Sequence, residues 1–410
     1  MRILFLLTQD LESPSGLGRY WPLARELASY GHQVRIAALH SNWAGLAQRS
    51  YEREGVHIEY VAPMHVQKIG SQKRYYSTLR LIGVILRATW ALCRASLAAP
   101  VDVIQVGKPH PMNGIAGSLA RWRYGGVLCV DCDDYEAQIN RFGAGWQRKV
   151  VAYFERRLPR MAQVVTTHTQ FMRDNLLAWG CAQEKIHYLS NGVDRARFIQ
   201  PDQGEVEALR ERLDLQGKRV VAYLGSLSQP SHPVDLLVRA FQPVLARFPE
   251  AVLLLVGGGE DISPLETLVQ QLGIERAVRF TGRVPAAQVH DHYALAEVTV
   301  DPVHDDEAAR GRSPLKMFES WIMGVPFVTS PVGERPRLAG HPPACQMAAP
   351  AGDAHALSRA IQEVLSSAEL AETLTKRGYR QVEEYTWERL ARQLEAVYQT
   401  AVRVNHDGKR

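Results

Sequence analysis

Residues 310–326 combine the residue types needed to hold a phosphate and a sugar. The segment begins RGRSPLKMFE (310–319), and a Ser-Pro pair is typical of a helix N-cap followed by the first helical residue. A helix that begins here presents the amides of Leu315 and Lys316, and its dipole attracts an anion such as phosphate. Glu319, on the same helix, is placed to accept hydrogen bonds from two adjacent sugar hydroxyls. The alternative for Glu319 is an ordinary surface glutamate.

Two glycines, Gly16 and Gly18, follow the apolar run RILFLL (2–7) in the segment SPSGLGR. Glycines between a strand and a helix allow backbone amides to approach an anion at the helix N-terminus. A tight turn that needs positive φ explains the same two residues equally well.

An acidic run, DCDDYE (131–136), ends the apolar segment GVLCVD (126–131) in a half of the chain that is otherwise basic. Asp133 and Asp134 are candidates to bind an acceptor or to act as a base near its hydroxyl. Two alternatives stay open. The run could be a capping aspartate with solvated acids, or it could hold a divalent metal ion, since oxygen ligands suit Mg²⁺.

A stretch without acidic residues separates Glu59 from Asp102. Lys73, Arg80, Arg87 and Arg94 recur there every seven residues, which on a helix forms one basic stripe beside apolar residues. Such a helix suits an anionic membrane surface. The alternative is a helix that packs between domains and has one solvated basic edge.

Short apolar runs alternate with amphipathic helical patterns through both halves, which predicts parallel sheets covered by helices on both faces. The strands expected in the first half are 2–7, 33–39, 57–62, 101–106, 126–131 and 163–168, and those in the second half are 219–225, 251–259, 277–282, 298–302 and 325–330. The predicted domains are residues 1–200, joined by a returning C-terminal helix (387–410), and residues 201–386. Ligands bind at the carboxyl ends of strands in such sheets, so we expect the site in a cleft there.

The amino-acid composition and the net charge limit the classes of protein to which the chain can belong. The apolar fraction of 46% and charged fraction of 22% are typical of a folded globular protein. Five cysteines are too few for a disulfide scaffold. Cys129 and Cys132 are expected to be buried thiols, and a cytoplasmic protein is expected. The sequence contains no run of about 20 apolar residues, so no membrane-spanning helix is predicted. The first 200 residues carry a net charge of +10 and the rest −5, which suggests different partners for the two halves; the basic patch lacks the interleaved aromatic residues of a nucleic-acid surface.

The motifs taken in order resemble those of family 4 retaining glycosyltransferases with the GT-B fold. The resemblance rests on MRILFLL with its glycine loop, NGVD, YLGSL, LLLVGGG, VRFTGRV, and PLKMFESWIMGVPFVTSPVG, with YTWERLARQLEAVY near the end. It implies two Rossmann-like doubly wound domains that face each other across a cleft, the first binding the acceptor and the second a nucleotide-sugar donor.

The resemblance also implies roles for individual residues. Glu319 would bind the nucleotide ribose, and the backbone near Arg283 and Val284 would hold the base. The helix start at Leu315 and Lys316, preceded by Ser313, and the glycine loop at Gly16 and Gly18 would face the diphosphate. The donor is then a substrate, and neither a cofactor nor a metal is expected.

The sequence departs from the family pattern at four polar positions. Ser226 and His232 stand where an arginine and a lysine usually grip the diphosphate, and Gly311 replaces a glutamate. Gly107 replaces a histidine after strand 101–106, with Lys108 and His110 close by as candidate catalytic residues. We hypothesise that one or two of the cations Arg310, Arg312, Lys316, Lys108 and Arg19 replace the missing pair, because fixed cations stabilise a departing diphosphate.

The sequence therefore predicts a retaining glycosyltransferase, most simply a hexosyltransferase, that acts on a glycan, lipid-linked or small-molecule acceptor. Its expected location is the cytoplasm, peripheral to the inner membrane face. One alternative is a GT-B protein that has lost catalysis and binds sugar nucleotides or serves as a scaffold. Another is a GT-B sugar-nucleotide epimerase, since fold likeness does not guarantee function.

Overall fold

The structure, a computed structural model, describes residues 1–69, 72–140, 142–229 and 231–407, with side chains described except at 68, 69 and 72–75. The chain forms two compact α/β units. The first comprises residues 1–69, 73–192 and the last helix, and the second comprises residues 193–386. The division lies at Gly192, eight residues before the boundary expected from sequence.

The first unit contains a sheet of eight strands in the order β10-β9-β8-β7-β1-β2-β4-β3 and a separate pair, β5-β6. All neighbours in the large sheet are parallel except β3 and β4. The strands are β1 (Arg2–Leu7), β2 (Gln33–His40), β3 (Ser50–Arg53), β4 (Val56–Pro63), β5 (Val66–Ile69), β6 (Gln72–Tyr75), β7 (Val103–Gly107), β8 (Val127–Asp131), β9 (Val164–Thr167) and β10 (Ile186–Tyr188).

Helices cover both faces of this sheet. They are α1 (Trp21–Ser29), α2 (Thr78–Ser96), α3 (Pro111–Tyr124), α4 (Glu136–Ile139), α5 (Gly145–Met161) and α6 (Gln170–Ala178). Side chains of α2, α3, α5 and α6 form the core on one face, and α1 packs on the other. Cys129, on β8, and Cys132, directly after this strand, are buried in these two opposite cores, so both are buried thiols as the sequence predicts.

The second unit has a fully parallel sheet in the order β13-β12-β11-β14-β15-β16. Its strands are β11 (Arg219–Leu224), β12 (Ala251–Val256), β13 (Val278–Gly282), β14 (Val298–Val300), β15 (Phe327–Thr329) and β16 (Gln346–Met347). Its helices are α7 (Gln203–Arg212), α8 (Val234–Arg247), α9 (Ile262–Gln271), α10 (Val289–Ala294), α11 (Glu307–Arg310), α12 (Leu315–Ile322), α13 (Arg335–Ala339), α14 (Ala354–Ser366) and α15 (Ala368–Val382). The strand order reverses between β11 and β14, as it does between β1 and β7 in the first unit.

The last helix, α16 (Trp387–Asp407), belongs to the first unit and buries Trp387, Leu390 and Leu394 in the core on the α1 side. The chain therefore crosses from the first unit to the second and back. Val193 and Thr386, which begin and end the second unit, form a parallel bridge, and the Val193 amide donates to the Tyr385 carbonyl at 2.8 Å.

The predicted two-domain parallel α/β architecture is confirmed, and each strand expected from sequence is present within a few residues. Two other predictions need correction. The basic helix begins only at Thr78, because residues 72–75 form β6; Lys73 is therefore on a strand, its side chain lies outside the described residues, and the stripe shortens to Arg80, Arg87 and Arg94. The second-unit helix begins at Leu315, so Pro314 and not Ser313 is its N-cap. Pro314 has an extended backbone (φ −76°, ψ 111°) that is not yet helical.

Among the described residues no helix is long and apolar enough to cross a bilayer.

Candidate functional site

The carboxyl edge of the second sheet collects most of the predicted donor residues. Ser226 follows β11, and Arg283 and Val284 follow β13 directly. Asp301, which the sequence analysis did not select, follows β14 and therefore lies across the reversal in strand order from Ser226. Such a reversal point is where open α/β sheets bind ligands. The signal in the sequence was a charged residue directly after a buried strand, in VTVDP.

Two of the loop glycines here have a structural explanation. A Cβ on Gly257 would lie 1.8 Å from the carbonyl oxygen of Gly225, and one on Gly259 would lie 2.1 Å from that of Leu227. The loops after β11 and β12 thus approach each other at backbone distance, which requires glycine whether or not a ligand binds.

The start of α12 is at the same edge. Leu315 and Lys316 are its first two residues, so their amides have no acceptor within the helix and are available to an anion. Ser313 is buried just before the N-cap. The predicted anion site at Leu315 and Lys316 is therefore structurally feasible, although the capping residue is different.

Lys316 belongs to a buried ion network. Its Nζ lies 2.9 Å from Oδ1 of Asp301, and the Arg335 guanidinium donates to Oδ2 of the same carboxylate at 2.8 and 2.9 Å. Burial raises the pKa of Asp301, but Lys316 and Arg335 outweigh it and hold that pKa well below its usual range. Burial lowers the pKa of Lys316, and Asp301 reverses the effect, so the pKa is raised overall. Two cations facing one carboxylate leave a net positive charge at the end of β14.

The position of Lys316 explains how the chain can lack an arginine at Ser226. The Lys316 side chain crosses to the end of β11, where its Cε lies 3.5 Å from the Cβ position of Gly225 and its Nζ lies 4.5 Å from the Tyr223 ring centroid. The Tyr223 hydroxyl in turn donates to the carbonyl of Ser226 at 2.8 Å. The ammonium group therefore lies beside the loop position from which an arginine side chain would extend.

Arg312 lies beside His232, the second position in this unit at which the family pattern has a cation. One guanidinium nitrogen of Arg312 lies 3.3 and 3.4 Å from the two ring nitrogens of His232. Burial, with Arg312 and Lys316, lowers the pKa of His232 well below its usual range, so this imidazole is neutral at physiological pH. Ser226 and His232, the two positions at which the family pattern has a cation, thus each have a cation from residues 312–316 beside them.

Glu319 is held by a partner that sequence analysis missed. The hydroxyl of Tyr293, on α10, donates to Oε2 of Glu319 at 2.8 Å. Glu319 is partly buried, so it is not the freely solvated glutamate of the alternative interpretation. Its carboxylate retains acceptor capacity for further hydrogen bonds, as a pair of ribose hydroxyls would require.

Arg310 does not join this group. Its side chain is 47% exposed and pairs with Asp305, with contacts of 2.7 and 3.0 Å. Arg283 is also exposed, in the loop after β13. The cations at the reversal point are thus Arg312, Lys316 and Arg335.

The four predicted catalytic residues of the first unit form one cluster. The ammonium of Lys108 lies 3.2 Å from Asp133, 2.7 Å from Asp134 and 2.5 Å from Glu136. His110 completes the cluster, with Nε2 2.9 Å from Glu136 and Nδ1 2.8 Å from the hydroxyl of Thr8. Thr8 and Glu136 were not selected as site residues from sequence, although Glu136 ends the acidic run.

Charge within this cluster is largely compensated. Burial lowers the pKa of Lys108, but the three carboxylates reverse the effect and raise it well above its usual value. Burial raises the pKa of Asp133 well above its usual range, and Asp134 and Asp131 add to the rise, whereas Lys108 and His110 hold the pKa of Glu136 below its usual range in spite of burial. The three carboxylates, whose oxygens are close enough to share a metal ion, already surround the ammonium of Lys108.

Arg19 forms ion-pair and hydrogen-bond contacts within the first unit, which differ from the diphosphate contact hypothesised from sequence. It is buried and donates to both oxygens of Asp131, at 2.7 and 2.8 Å, and to Oδ1 of Asn191 at 2.9 Å. Since both Arg19 and Lys108 are matched by carboxylates of their own unit, neither has an uncompensated charge to offer a diphosphate.

The glycine loop has helical backbone. Gly16 and Gly18 lie in a five-residue π-helical turn, Gly16–Tyr20, that leads directly into α1. A Cβ on Gly16 would lie 2.0 Å from the carbonyl oxygen of Asp10, so close backbone approach, and not positive φ, requires glycine at this position.

Two family models match the chain. Residues 15–192 match the glycosyl transferase 4-like domain, and residues 218–367 match the glycosyl transferases group 1. Between them the two models span most of both units.

Curated proteins are similar to the chain at 24–30% identity. A GDP-mannose-dependent alpha-(1-6)-phosphatidylinositol monomannoside mannosyltransferase of Mycolicibacterium smegmatis is 30% identical over 58% of this chain and 60% of that protein. A mannosylfructose-phosphate synthase of Agrobacterium fabrum is 30% identical over 41% of this chain and 37% of that protein. The chain thus spans less than two thirds of each of these relatives. Spore coat protein SA of Bacillus subtilis is 24% identical over 97% of this chain and 99% of that protein.

Solved structures resemble the whole chain. HepE of Anabaena, in complex with UDP and glucose, aligns with a TM-score of 0.74 over 97% of this chain and 99% of that one, at 16% identity. Sucrose-phosphate synthase of Thermosynechococcus elongatus aligns with a TM-score of 0.77 over 98% and 99%, at 18% identity. At these identities the likeness shows the fold, which is GT-B.

Proposed function

This chain belongs to the glycosyl transferases of group 1, and from that premise we propose that it transfers a sugar from a nucleoside-diphosphate donor to a hydroxyl group of an acceptor. The second unit would hold the donor, and the first unit would hold the acceptor. The observation that carries the proposal is the pairing of Lys316 with the Ser226 loop and of Arg312 with His232. It gives a site that departs from the family pattern the cations that a diphosphate needs.

The donor would lie along the carboxyl edge of the second sheet. Its diphosphate would meet the first amides of α12 together with Lys316 and Arg312, its ribose would meet Glu319, and its base the backbone at Arg283 and Val284. The charge that develops on the leaving diphosphate would be stabilised by these fixed cations and by the helix dipole. Because protein cations fill this role, we propose that the reaction needs no metal ion.

The finer features of the reaction are also proposals. We infer a retaining reaction in which the β-phosphate oxygen assists deprotonation of the acceptor hydroxyl on the same face of the sugar. The mannosyl transfer named for two of the relatives supports a hexose as the sugar that is moved.

The first-unit cluster would bind the acceptor. Asp134, His110 and Lys108 are each slightly accessible, so a polyhydroxylated acceptor can hydrogen-bond to them. Asp133 is more deeply buried, and we propose that it positions Lys108. The glycine loop at Gly16 and Gly18 remains a candidate diphosphate contact.

A peripheral membrane location is part of the same proposal. The cations Arg80, Arg87 and Arg94 on α2 are exposed, as the hypothesis of a basic membrane-facing helix requires. The name of the mycobacterial relative, which acts on a phosphatidylinositol mannoside, supports a lipid-linked acceptor.

Calorimetric titration with UDP, GDP, ADP and dTDP tests the donor site directly. We expect one nucleotide to bind with a Kd in the micromolar range, and Glu319→Ala to weaken it about tenfold or more, because a carboxylate that accepts ribose hydroxyls contributes on the order of 1.5–3 kcal/mol. The 2′,3′-dideoxy form of the same nucleotide should bind weakly and be insensitive to Glu319→Ala. No binding of any nucleotide at millimolar concentration contradicts the proposal.

Incubation with the matching nucleotide sugar separates the alternatives. A transferase releases nucleoside diphosphate faster when an acceptor is added. An epimerase would form free sugar or an isomer without one, and a scaffold would release nothing. Both of these outcomes contradict the transferase assignment.

A further inference from the structure

Three neighbouring helices of the first unit, α2, α3 and α5, cover the same face of its sheet. Their inward side chains share one core, α2 packs along α3, and α3 also contacts α5. The outward surface of these three helices, here called the three-helix face, is therefore continuous. Most of the large apolar side chains that are exposed in the described part of the chain lie on it.

On α2 the exposed apolar side chains form a stripe. Leu79, Ile82, Leu86 and Trp90 are spaced by three or four residues and so lie on one side of the helix. Leu79 is 85% exposed and Trp90 is 64% exposed, whereas the opposite side of α2 is buried. An amphipathic helix on a sheet normally turns its polar side outward, so this second apolar side needs a partner.

The two other helices continue the pattern. On α3, Ile115 and Trp122 are seven residues apart and both exposed, with Trp122 at 80%. On α5, exposed Trp146, Val150 and Tyr153 again follow helical spacing. Three tryptophans and a tyrosine thus project from one surface.

The charges on the same helices are almost all positive. α2 carries three arginines and α3 carries two, Arg121 and Arg123. α5 carries five exposed cations, and its single acid, Glu155, is buried. Those cations are Arg148, Lys149, Arg156, Arg157 and Arg160. No carboxylate of the described residues forms an ion pair with any of the ten.

We propose that the three-helix face binds an anionic lipid bilayer, with its aromatic and aliphatic side chains in the interfacial layer and its cations at the headgroups. Tryptophan, tyrosine and arginine beside exposed aliphatic side chains match that environment. A second copy of the chain fits poorly, because ten cations would then face ten. The inference deepens the proposed function, since it makes the acceptor lipid-borne, but the lipid contact itself does not depend on transferase activity.

Vesicle flotation tests the surface. We expect the full chain to float with vesicles of phosphatidylcholine containing about 30% phosphatidylglycerol, and to remain unbound with phosphatidylcholine alone. Tryptophan emission should shift to the blue on binding, because Trp90 and Trp122 leave water. Raising the salt concentration from 0.1 to 0.5 M should weaken the binding, since exposed charges are screened.

Two variants separate the charged from the apolar contribution. A quadruple change, Arg148→Gln, Lys149→Gln, Arg156→Gln and Arg157→Gln, should lower the partition coefficient about a hundredfold or more. Leu86→Ser with Trp90→Ser should also release the protein and remove part of the blue shift. The matched controls are exposed residues elsewhere, Arg247→Gln with Arg276→Gln and Ile199→Ser, which should bind like the parent. Equal thermal unfolding of all variants excludes misfolding as the cause.

Several outcomes overturn the inference. They are equal binding to neutral vesicles, no binding to either vesicle, unchanged binding of both face variants, and preferential binding of a single-stranded oligonucleotide or an acidic protein. Nucleotide titrations of the same variants separate a failure of the lipid-binding inference from a failure of the proposed function. The three helices lie in the first unit and the proposed donor residues in the second, so the face variants should bind nucleotide like the parent.

Discussion

At the scale of single residues, the second unit shows how one sequence position can take over the chemistry of another. Ser226 and His232 supply no positive charge, yet Lys316 and Arg312 bring their charges to the same loops from α12 and the residues before it. The cations could be selected from the sequence because they are close in the chain to Glu319. Asp301, which pairs with both Lys316 and Arg335, and Tyr293, which donates to Glu319, could not be found from sequence, because these contacts join residues 15 to 34 positions apart.

Lys316→Ala should weaken binding of the preferred nucleoside diphosphate about tenfold to a hundredfold, because a charged hydrogen bond to phosphate is lost. The double variant Lys316→Ala with Ser226→Arg should recover much of that loss, because the new guanidinium extends from the loop beside which Lys316 lay. Calorimetric Kd values check both variants. Arg310→Ala is the matched control, and it should change Kd less than about twofold. Loss in the single variant without recovery in the double variant would show that Lys316 acts from a different place.

Lys108→Ala should create a divalent-cation site in the first unit. Removal of the ammonium leaves Asp133, Asp134 and Glu136 with oxygens close enough to share one ion, and their mutual repulsion favours an added cation. We expect the variant to lose thermal stability and to regain it in millimolar Mg²⁺ or Mn²⁺, whereas the parent protein should not respond. Asp134→Asn in the Lys108→Ala background removes a ligand and should abolish the response. An equal response of the parent would show that Lys108 does not exclude the ion.

At the scale of secondary-structure elements, the buried carboxylate of Glu155 on α5 supports the start of α4. It accepts the amide of Glu136 at 2.7 Å and that of Ala137 at 3.4 Å. Burial raises the pKa of Glu155 to about 8, and the nearby Glu136 adds to the rise. From sequence alone Glu155 would be assigned to the surface, because it is a charged residue among the exposed cations of α5. Its burial against α4 depends on the tertiary fold, which the local sequence does not reveal.

This raised pKa predicts that stability falls as the pH rises through about 8. Between the unfolded value near 4.5 and the folded value near 8, the folded state binds the proton and the unfolded state does not. The stabilisation by the protonated carboxyl is therefore complete below about pH 4.5 and is lost as the pH rises to about 8, and the total loss is on the order of 5 kcal/mol. Glu155→Gln retains an acceptor oxygen without the charge. The difference in free energy of unfolding between variant and parent should favour the variant more at pH 9 than at pH 6, as denaturant titration at each pH can measure; a difference independent of pH would contradict the raised pKa.

The elements also show what sequence patterns determine and what they do not. Buried parallel strands appear as continuous apolar runs, which is why β1, β7, β8, β11 and β12 were located closely. The basic repeat starting at Lys73 was misleading, because a seven-residue spacing continues through β6 and α2 without regard to the helix boundary at Thr78. Ser313 was misassigned for a related reason, since the Ser-Pro pair specifies a helix start only to within one residue.

At the scale of the whole molecule, the asymmetry of charge follows the division of labour that we propose. The excess of basic residues in the first 200 positions is concentrated on α2, α3 and α5, and at the second unit's sheet edge cations are matched only in part by Asp301. The net charge of the halves was readable from sequence. Of the three-helix face, only α2 could be recognised from sequence, as an amphipathic helix. The adjacency of α2, α3 and α5 arises from the order of strands in the sheet, which the sequence pattern does not give.

The bridge between Val193 and Thr386 makes the second unit an insertion whose two ends are held together. An inserted module with adjacent ends imposes little loop-closure entropy on its host, so it can be exchanged with small disturbance. Evolution, or an engineer, can therefore replace residues 193–386 with the corresponding module of another family member, which under the proposed function would change the nucleotide sugar that is used. The cluster around Lys108 and the three-helix face, which both lie outside residues 193–386, would be inherited unchanged.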